Sequence, residues 1–286
     1  MTASRSTAAV FVALGTRRYR VDRTWAQLPS DVRYDGVSQV AVDSQDRVYV
    51  FQRGDPPVVV FEASGAFVGA WGNGLIADAH GIFITHHDEV ILVDRDGHQI
   101  LAFDVAGHGL WSIGDSAHPK LQAPFNHPAG VAVDRQNGHL YVADGYANSV
   151  VHRFDAEHRL VRSWGRPGAG PGEFTTPHGI WIDESERVLV CDRENDRLQI
   201  FDTEGHFLTE WRDLYHPMDL YIEPTGFVFV TDQIPRLTMY SPEGELVGRC
   251  KPVPVGAHGV WGDSRGNLYL AEVAPMDRVT KLVRLE

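Results

Sequence analysis

One strand-like unit recurs six times along this chain, and its spacing leaves few architectures open. The units begin Ser38-Gln39-Val40-Ala41-Val42, His80-Gly81-Ile82-Phe83-Ile84, Ala129-Gly130-Val131-Ala132-Val133, His178-Gly179-Ile180-Trp181-Ile182, Met218-Asp219-Leu220-Tyr221-Ile222 and His258-Gly259-Val260-Trp261-Gly262. The steps between them are 42, 49, 49, 40 and 40 residues. After a polar turn each unit continues into a second apolar segment, such as Val48-Tyr49-Val50 or Leu140-Tyr141-Val142. A third segment ends near Phe103-Asp104, Phe154-Asp155 or Phe201-Asp202, and a fourth carries Trp71, Trp164 or Trp211. Short β-branched and aromatic segments between turns read as strands, and no run of ten or more residues has convincing helical periodicity. Four strands repeating every forty-odd residues make a propeller blade.

The expectation is an all-β, six-bladed β-propeller occupying residues 1–286 as one domain, with residues 1–16 either poorly ordered or an edge strand. The last unit holds only three strands before Val283-Arg284-Leu285-Glu286. Tyr19-Arg20-Val21-Asp22-Arg23-Thr24-Trp25 looks like the missing Trp-bearing strand. Pairing it into the last blade closes the ring and removes an exposed sheet edge.

His80, His178 and His258 share one register position on alternate units, where the other three units have Ser38, Ala129 and Met218. Alternate blades of six lie about 120° apart around the channel that the innermost strands line. Three imidazoles converging there make a metal site with a fourth position open, zinc being the first choice and other divalent metals also accommodated.

Composition narrows the partners. With 38 acidic against 26 basic residues, a formal charge of −12 and no Lys/Arg cluster, the chain lacks the footprint of a nucleic-acid binder. The apolar run Ala8–Leu14 is too short to span a bilayer and is a poor signal peptide, so neither membrane association nor secretion is expected, and a cytoplasmic location is. Cys191 and Cys250 read as small hydrophobes rather than a disulfide.

Arg53, Arg95 and Arg193 follow second strands at equivalent positions, and Tyr146 occupies the same loop of the third unit. A guanidinium suits a carboxylate held bidentately, but position alone does not separate a ligand-binding arginine from one paired with a neighbouring acid. The runs Asp144-Gly145-Tyr146-Ala147-Asn148-Ser149, Thr176-Pro177-His178-Gly179 and Asp192-Arg193-Glu194-Asn195-Asp196-Arg197 supply more. With them, residues 35–286 resemble the peptidyl-α-hydroxyglycine α-amidating lyase family, six-bladed propellers of NHL-type repeats.

That resemblance implies zinc on His80, His178 and His258, with Tyr146, Arg53 and Arg193 as catalytic residues. It implies a C–N lyase that splits an N-acyl (peptidyl) 2-hydroxyglycine into an amide and glyoxylate. On this basis Arg95 is expected to matter little. The chain departs from the family pattern at Gly256, where a Met is usual, and at Ala147, where the animal enzymes have a disulfide Cys. It departs again at Gly259, where an Asp for a structural calcium is usual, which makes structural calcium doubtful here. The rival readings are a related metal-dependent lyase or hydrolase of a small hydroxy acid such as ureidoglycolate, and a non-catalytic NHL protein-binding scaffold.

Overall fold

A computed structural model describes residues 9–286, and among these the secondary structure is six antiparallel sheets and a single 3-10 turn, Arg193–Asn195. Blade one is typical. Val37–Val42, Val48–Gln52, Val58–Phe61 and Phe67–Trp71 pair in chain order from the axis outward. The innermost strands of the other blades are Ala79–Ile84, Gly130–Val133, Pro177–Ile182, Pro217–Ile222 and Ala257–Gly262. Each packs against the innermost strands of both neighbours, which closes the ring.

The chain ends meet in blade six, as the sequence suggests, but with one strand more than expected. Outside Ala257–Gly262, Leu268–Glu272 and Arg278–Leu285 lies Arg17–Asp22, paired through Val21 with Leu282, and Val10–Leu14 adds a fifth, outermost strand. Val10–Leu14 thus forms the sheet edge, and residues 1–8 lie outside the described residues. Trp25 falls beyond the paired strand instead of within it. Its ring packs against Phe61 of blade one and Tyr269 of blade six, with centroids 5.4 and 5.1 Å apart, and so ties the first blade to the last.

Trp71 and Trp164, each at the end of an outer strand, stack under a glycine turn of the following blade. A Cβ on Gly107 or Gly205 would lie within 2.7 Å of Trp71 or within 2.6 Å of Trp164, and both glycines have positive φ. Only glycine meets both demands at once.

Two repeated devices aim side chains at the axis. Five of the six inner strands carry a register irregularity near their start, for example between Ala79 and Gly81 and between Ala257 and Gly259. Such a bulge re-aims the residue it contains. The last residue of each second strand, Gln52, Asp94, Asp144, Asp192, Asp232 or Glu272, is fully buried. The aspartates spend that burial on backbone donors: Asp94 accepts from Ala77 and Asp78, Asp144 from Asn126 and Asp192 from Thr175. These bonds fix the loops leading into the inner strands, and with them the rim around the channel mouth.

Candidate metal centre and its arginine rim

His80, His178 and His258 converge as the register predicts. Their ring centroids form a nearly equilateral triangle with sides of 4.8, 4.9 and 4.9 Å, and the side chains are 1%, 2% and 6% exposed. One ring nitrogen from each lies within 4.8 Å of the others. The orientation comes from the neighbouring blades. Nδ1 of His80 donates to the Ala129 carbonyl at 2.7 Å, and Nδ1 of His178 to that of Met218 at 2.5 Å. His258 faces the Ser38 carbonyl in the same way, but its Nδ1 falls short of good hydrogen-bond geometry. The residues that interrupt the histidines in the register are thus their backbone anchors. With Nδ1 carrying the proton, the Nε2 lone pairs of His80 and His178 point inward, the arrangement of metal-ligating imidazoles held by outer partners.

Burial holds His80 and His178 far below the usual imidazole range, reinforced by the neighbouring imidazoles, and brings His258 down to about 3, helped by Arg53 and Arg193. All three are neutral, as ligation requires. A consequence follows for the metal-free protein. Below pH 6.5 the unfolded chain takes up protons on these histidines that the folded chain refuses, so stability falls as pH drops. Urea unfolding of chelator-treated protein is expected to show a midpoint declining from pH 7 to pH 5. Replacing the three histidines with glutamine should remove part of that slope.

Tyr146 lies over the triangle, its hydroxyl 3.0 Å from Nε2 of His80 and 3.1 Å from Nε2 of His178. Its loop is built by the residues around it. Asp144 and Asn148 bond to each other, and Asn148 also holds the carbonyls of Lys120 and Ala123. A Cβ on Gly145 would lie 1.9 Å from the Pro177 carbonyl, so this glycine lets blade three close against the strand that carries His178. Burial pushes the Tyr146 pKa up, opposed by Arg193, Arg95 and Arg53.

Arg53 and Arg193 are at the rim, but so is Arg95, which the sequence reading sets aside. The Arg95 guanidinium carbon lies 5.1 Å from the centre of the Tyr146 ring, against 6.0 Å for Arg193. Asp78, two residues before His80 and nearly buried, joins two of the three. It accepts from Arg53 Nε at 2.8 Å, and its other oxygen is an ion-pair partner 2.6 Å from Arg95. Arg193 has an unpartnered, buried Nε and only a long 3.5 Å contact with Glu194. The other members of its motif are structural: Asp192 accepts from Asn195 and from the buried Arg197.

Beneath the histidines the register holds Gln39, Gly81, Gly130, Gly179, Asp219 and Gly259. Four glycines open the space and the other two residues fill it, Gln39 Nε2 donating to Asp219 at 2.8 Å. A Cβ on Gly259 would lie 1.4 Å from Gln39 Oε1, so the carboxylate at this level comes from blade five and an amide lies against blade six. Burial raises the Asp219 pKa to about 7. Lower still, Phe83, Trp181 and Trp261 form a second triangle, with centroids 4.7 to 5.2 Å apart, across the far end of the channel. Neither layer was recognised in the sequence, although aligning the residues one and three places after each histidine exposes both.

A family model described as a 6-bladed beta-propeller matches residues 131–233. Human NHL repeat-containing protein 3 is 30% identical over 261 residues, covering 82% of this chain and 73% of that protein. The chain belongs to the NHL-repeat propeller family. Its relatives also include amidating lyases. Peptidyl-alpha-hydroxyglycine alpha-amidating lyase 1 of Drosophila melanogaster is 27% identical over 209 residues, or 68% of this chain, and the match spans 37% of that protein. Among solved structures, a gluconolactonase from Xanthomonas campestris superposes with a TM-score of 0.72 at 14% identity, covering 95% of this NHL-repeat chain and 91% of the other. At that identity the likeness concerns the fold.

Proposed function

We propose that the protein is a zinc-dependent lyase that cleaves an N-acyl 2-hydroxyglycine, R–CO–NH–CH(OH)–COO⁻, into the amide R–CO–NH₂ and glyoxylate. The observation that carries this reading is the Tyr146 hydroxyl, shared between two inward-facing imidazole nitrogens beneath three guanidinium groups. The donor set fits zinc: three neutral nitrogens, one from each buried histidine, as in catalytic sites with three protein ligands. When bound, zinc supplies Lewis acidity that lowers the pKa of a hydroxyl beside it.

The chain's own residues supply the rest. Arg53, Arg95 and Arg193 receive the carboxylate, with Asp78 holding the first two in place. That fixes the carbinol carbon near the axis, with its hydroxyl toward Tyr146. The tyrosine, as the phenolate that the three guanidiniums favour, takes the hydroxyl proton, the C–N bond breaks as the aldehyde forms, and the proton passes to the departing amide nitrogen, which regenerates the phenolate. Atoms and charge balance with no other reactant. The two unpaired cysteines fit a reducing, cytoplasmic setting.

The test is metal analysis of the purified protein followed by a glyoxylate-release assay. Stoichiometric zinc with release from N-acyl 2-hydroxyglycines supports the lyase. A metal-free protein with no release points to a binding scaffold, and release from ureidoglycolate alone points to the small-hydroxy-acid rival. Arg95→Ala is expected to lower kcat/KM about 10- to 100-fold, the range for a lost hydrogen bond to a charged group, with zinc content unchanged. Arg53→Ala should behave alike, since the two share Asp78. An unaffected Arg95→Ala would return this residue to the minor role that the family resemblance implies.

A further inference from the structure

The channel mouth is lopsided. Arg53, Arg95, Tyr146 and Arg193 stand on blades one to four, whereas blades five and six place no guanidinium or ammonium group toward the histidines. In their place is a cleft of about 270 Å³ that begins at His258 and runs between the two blades, lined by Met218, Gln233, Val255, Gly256, Val273 and Ala274. The lining is apolar or amide except for the buried Asp232, whose Oδ2 accepts from Arg236 and the Tyr215 amide and whose Oδ1 has no partner. Gly256 belongs to the wall. A Cβ there would meet the carbonyls of Asp232 and Gln233 at 2.9 and 3.0 Å, so a larger residue would have to force the two blades apart.

We propose that this cleft binds the N-acyl group of the substrate, and that the substrate class is 2-hydroxyglycines bearing a short, uncharged, apolar acyl chain. The assignment rests on the lyase reading and extends it. A tetrahedral carbinol carbon has three substituents besides hydrogen. If the arginine arc takes the carboxylate and the axis takes the hydroxyl, the nitrogen and its acyl group face the one remaining sector, blades five and six. The Gln233 side chain at the rim is suited to an amide carbonyl or N–H. Its amide nitrogen has only a 3.9 Å contact with the Met218 sulfur. The volume lies just below the range of about 300–1,000 Å³ for sites holding drug-sized ligands, enough for one compact acyl group.

Two measurements on zinc-loaded protein separate this inference from the lyase reading. Binding of N-acetyl-, N-butanoyl- and N-hexanoylglycine, stable analogues lacking the hydroxyl, is followed by calorimetry. Glyoxylate release is followed with the matching 2-hydroxyglycines and with ureidoglycolate. Affinity is expected to rise about fourfold per methylene buried, then level off when the cleft is full. Val273→Phe should flatten that slope and Val273→Ala should extend it, with zinc content and melting temperature reporting that each variant is folded. Val255→Phe provides a second wall should Val273→Phe not fold. A slope in binding without glyoxylate release keeps the cleft and overturns the lyase. Glyoxylate release with no dependence on chain length, or a preference for ureidoglycolate, overturns the cleft assignment while the lyase stands.

Discussion

His178→Ala is expected to abolish both stoichiometric zinc and glyoxylate release. This histidine is 2% exposed, its Nδ1 is committed to the Met218 carbonyl, and its Nε2 points to the axis, so no other residue can take its place as a ligand. Loss of one of three imidazoles leaves two, below the three protein ligands usual in catalytic zinc sites. A metal acting as Lewis acid contributes several kcal/mol of transition-state stabilisation, which at about 1.4 kcal/mol per tenfold amounts to 10³-fold or more in rate. Removing the ring also leaves the Met218 carbonyl unpaired and a void on the axis, so stability should fall as well. Comparing the variant with chelator-treated wild type separates these effects. If the variant turns over normally once its folding is verified, the chemistry does not depend on this site.

Tyr146→Phe is expected to retain zinc and fold while lowering kcat by about 10² to 10⁴, the span for a lost general base or acid. The substitution deletes one oxygen from a half-buried ring whose placement comes from Asp144, Gly145 and Asn148, not from the hydroxyl. KM should change little, because the arginines hold the carboxylate. If kcat stays near normal, some group other than Tyr146 carries the proton, and the reaction resembles a hydrolysis more than an amide elimination.

The blades and the histidine triangle were legible because each depends on one residue per repeat. Period and register alone placed His80, His178 and His258 on alternate inner strands, and the bulges then turned them to the axis. Tyr146 was legible only through the resemblance, since one tyrosine in one loop has no counterpart in the other repeats to align with. The place of Arg95 at the rim was not legible because it depends on a partner. Arg95 shares Asp78 with Arg53 across a blade boundary, and that sharing has no signature in linear spacing. Gln39 and Asp219 were missed because they stand where four other repeats have glycine, and an alignment centred on the histidines treats such positions as background.

The triangle of Phe83, Trp181 and Trp261 turns the channel into a shaft with one mouth. Traffic through it is therefore single-ended, and whatever reacts at the histidines must back out past the groups that admitted it. In the proposed reaction only one product keeps the carboxylate. The neutral amide has no hold on the arginine rim and departs first, while glyoxylate remains until the guanidiniums release it. The geometry of a sealed floor thus sets an order of departure, and the last product out occupies the place the next substrate needs.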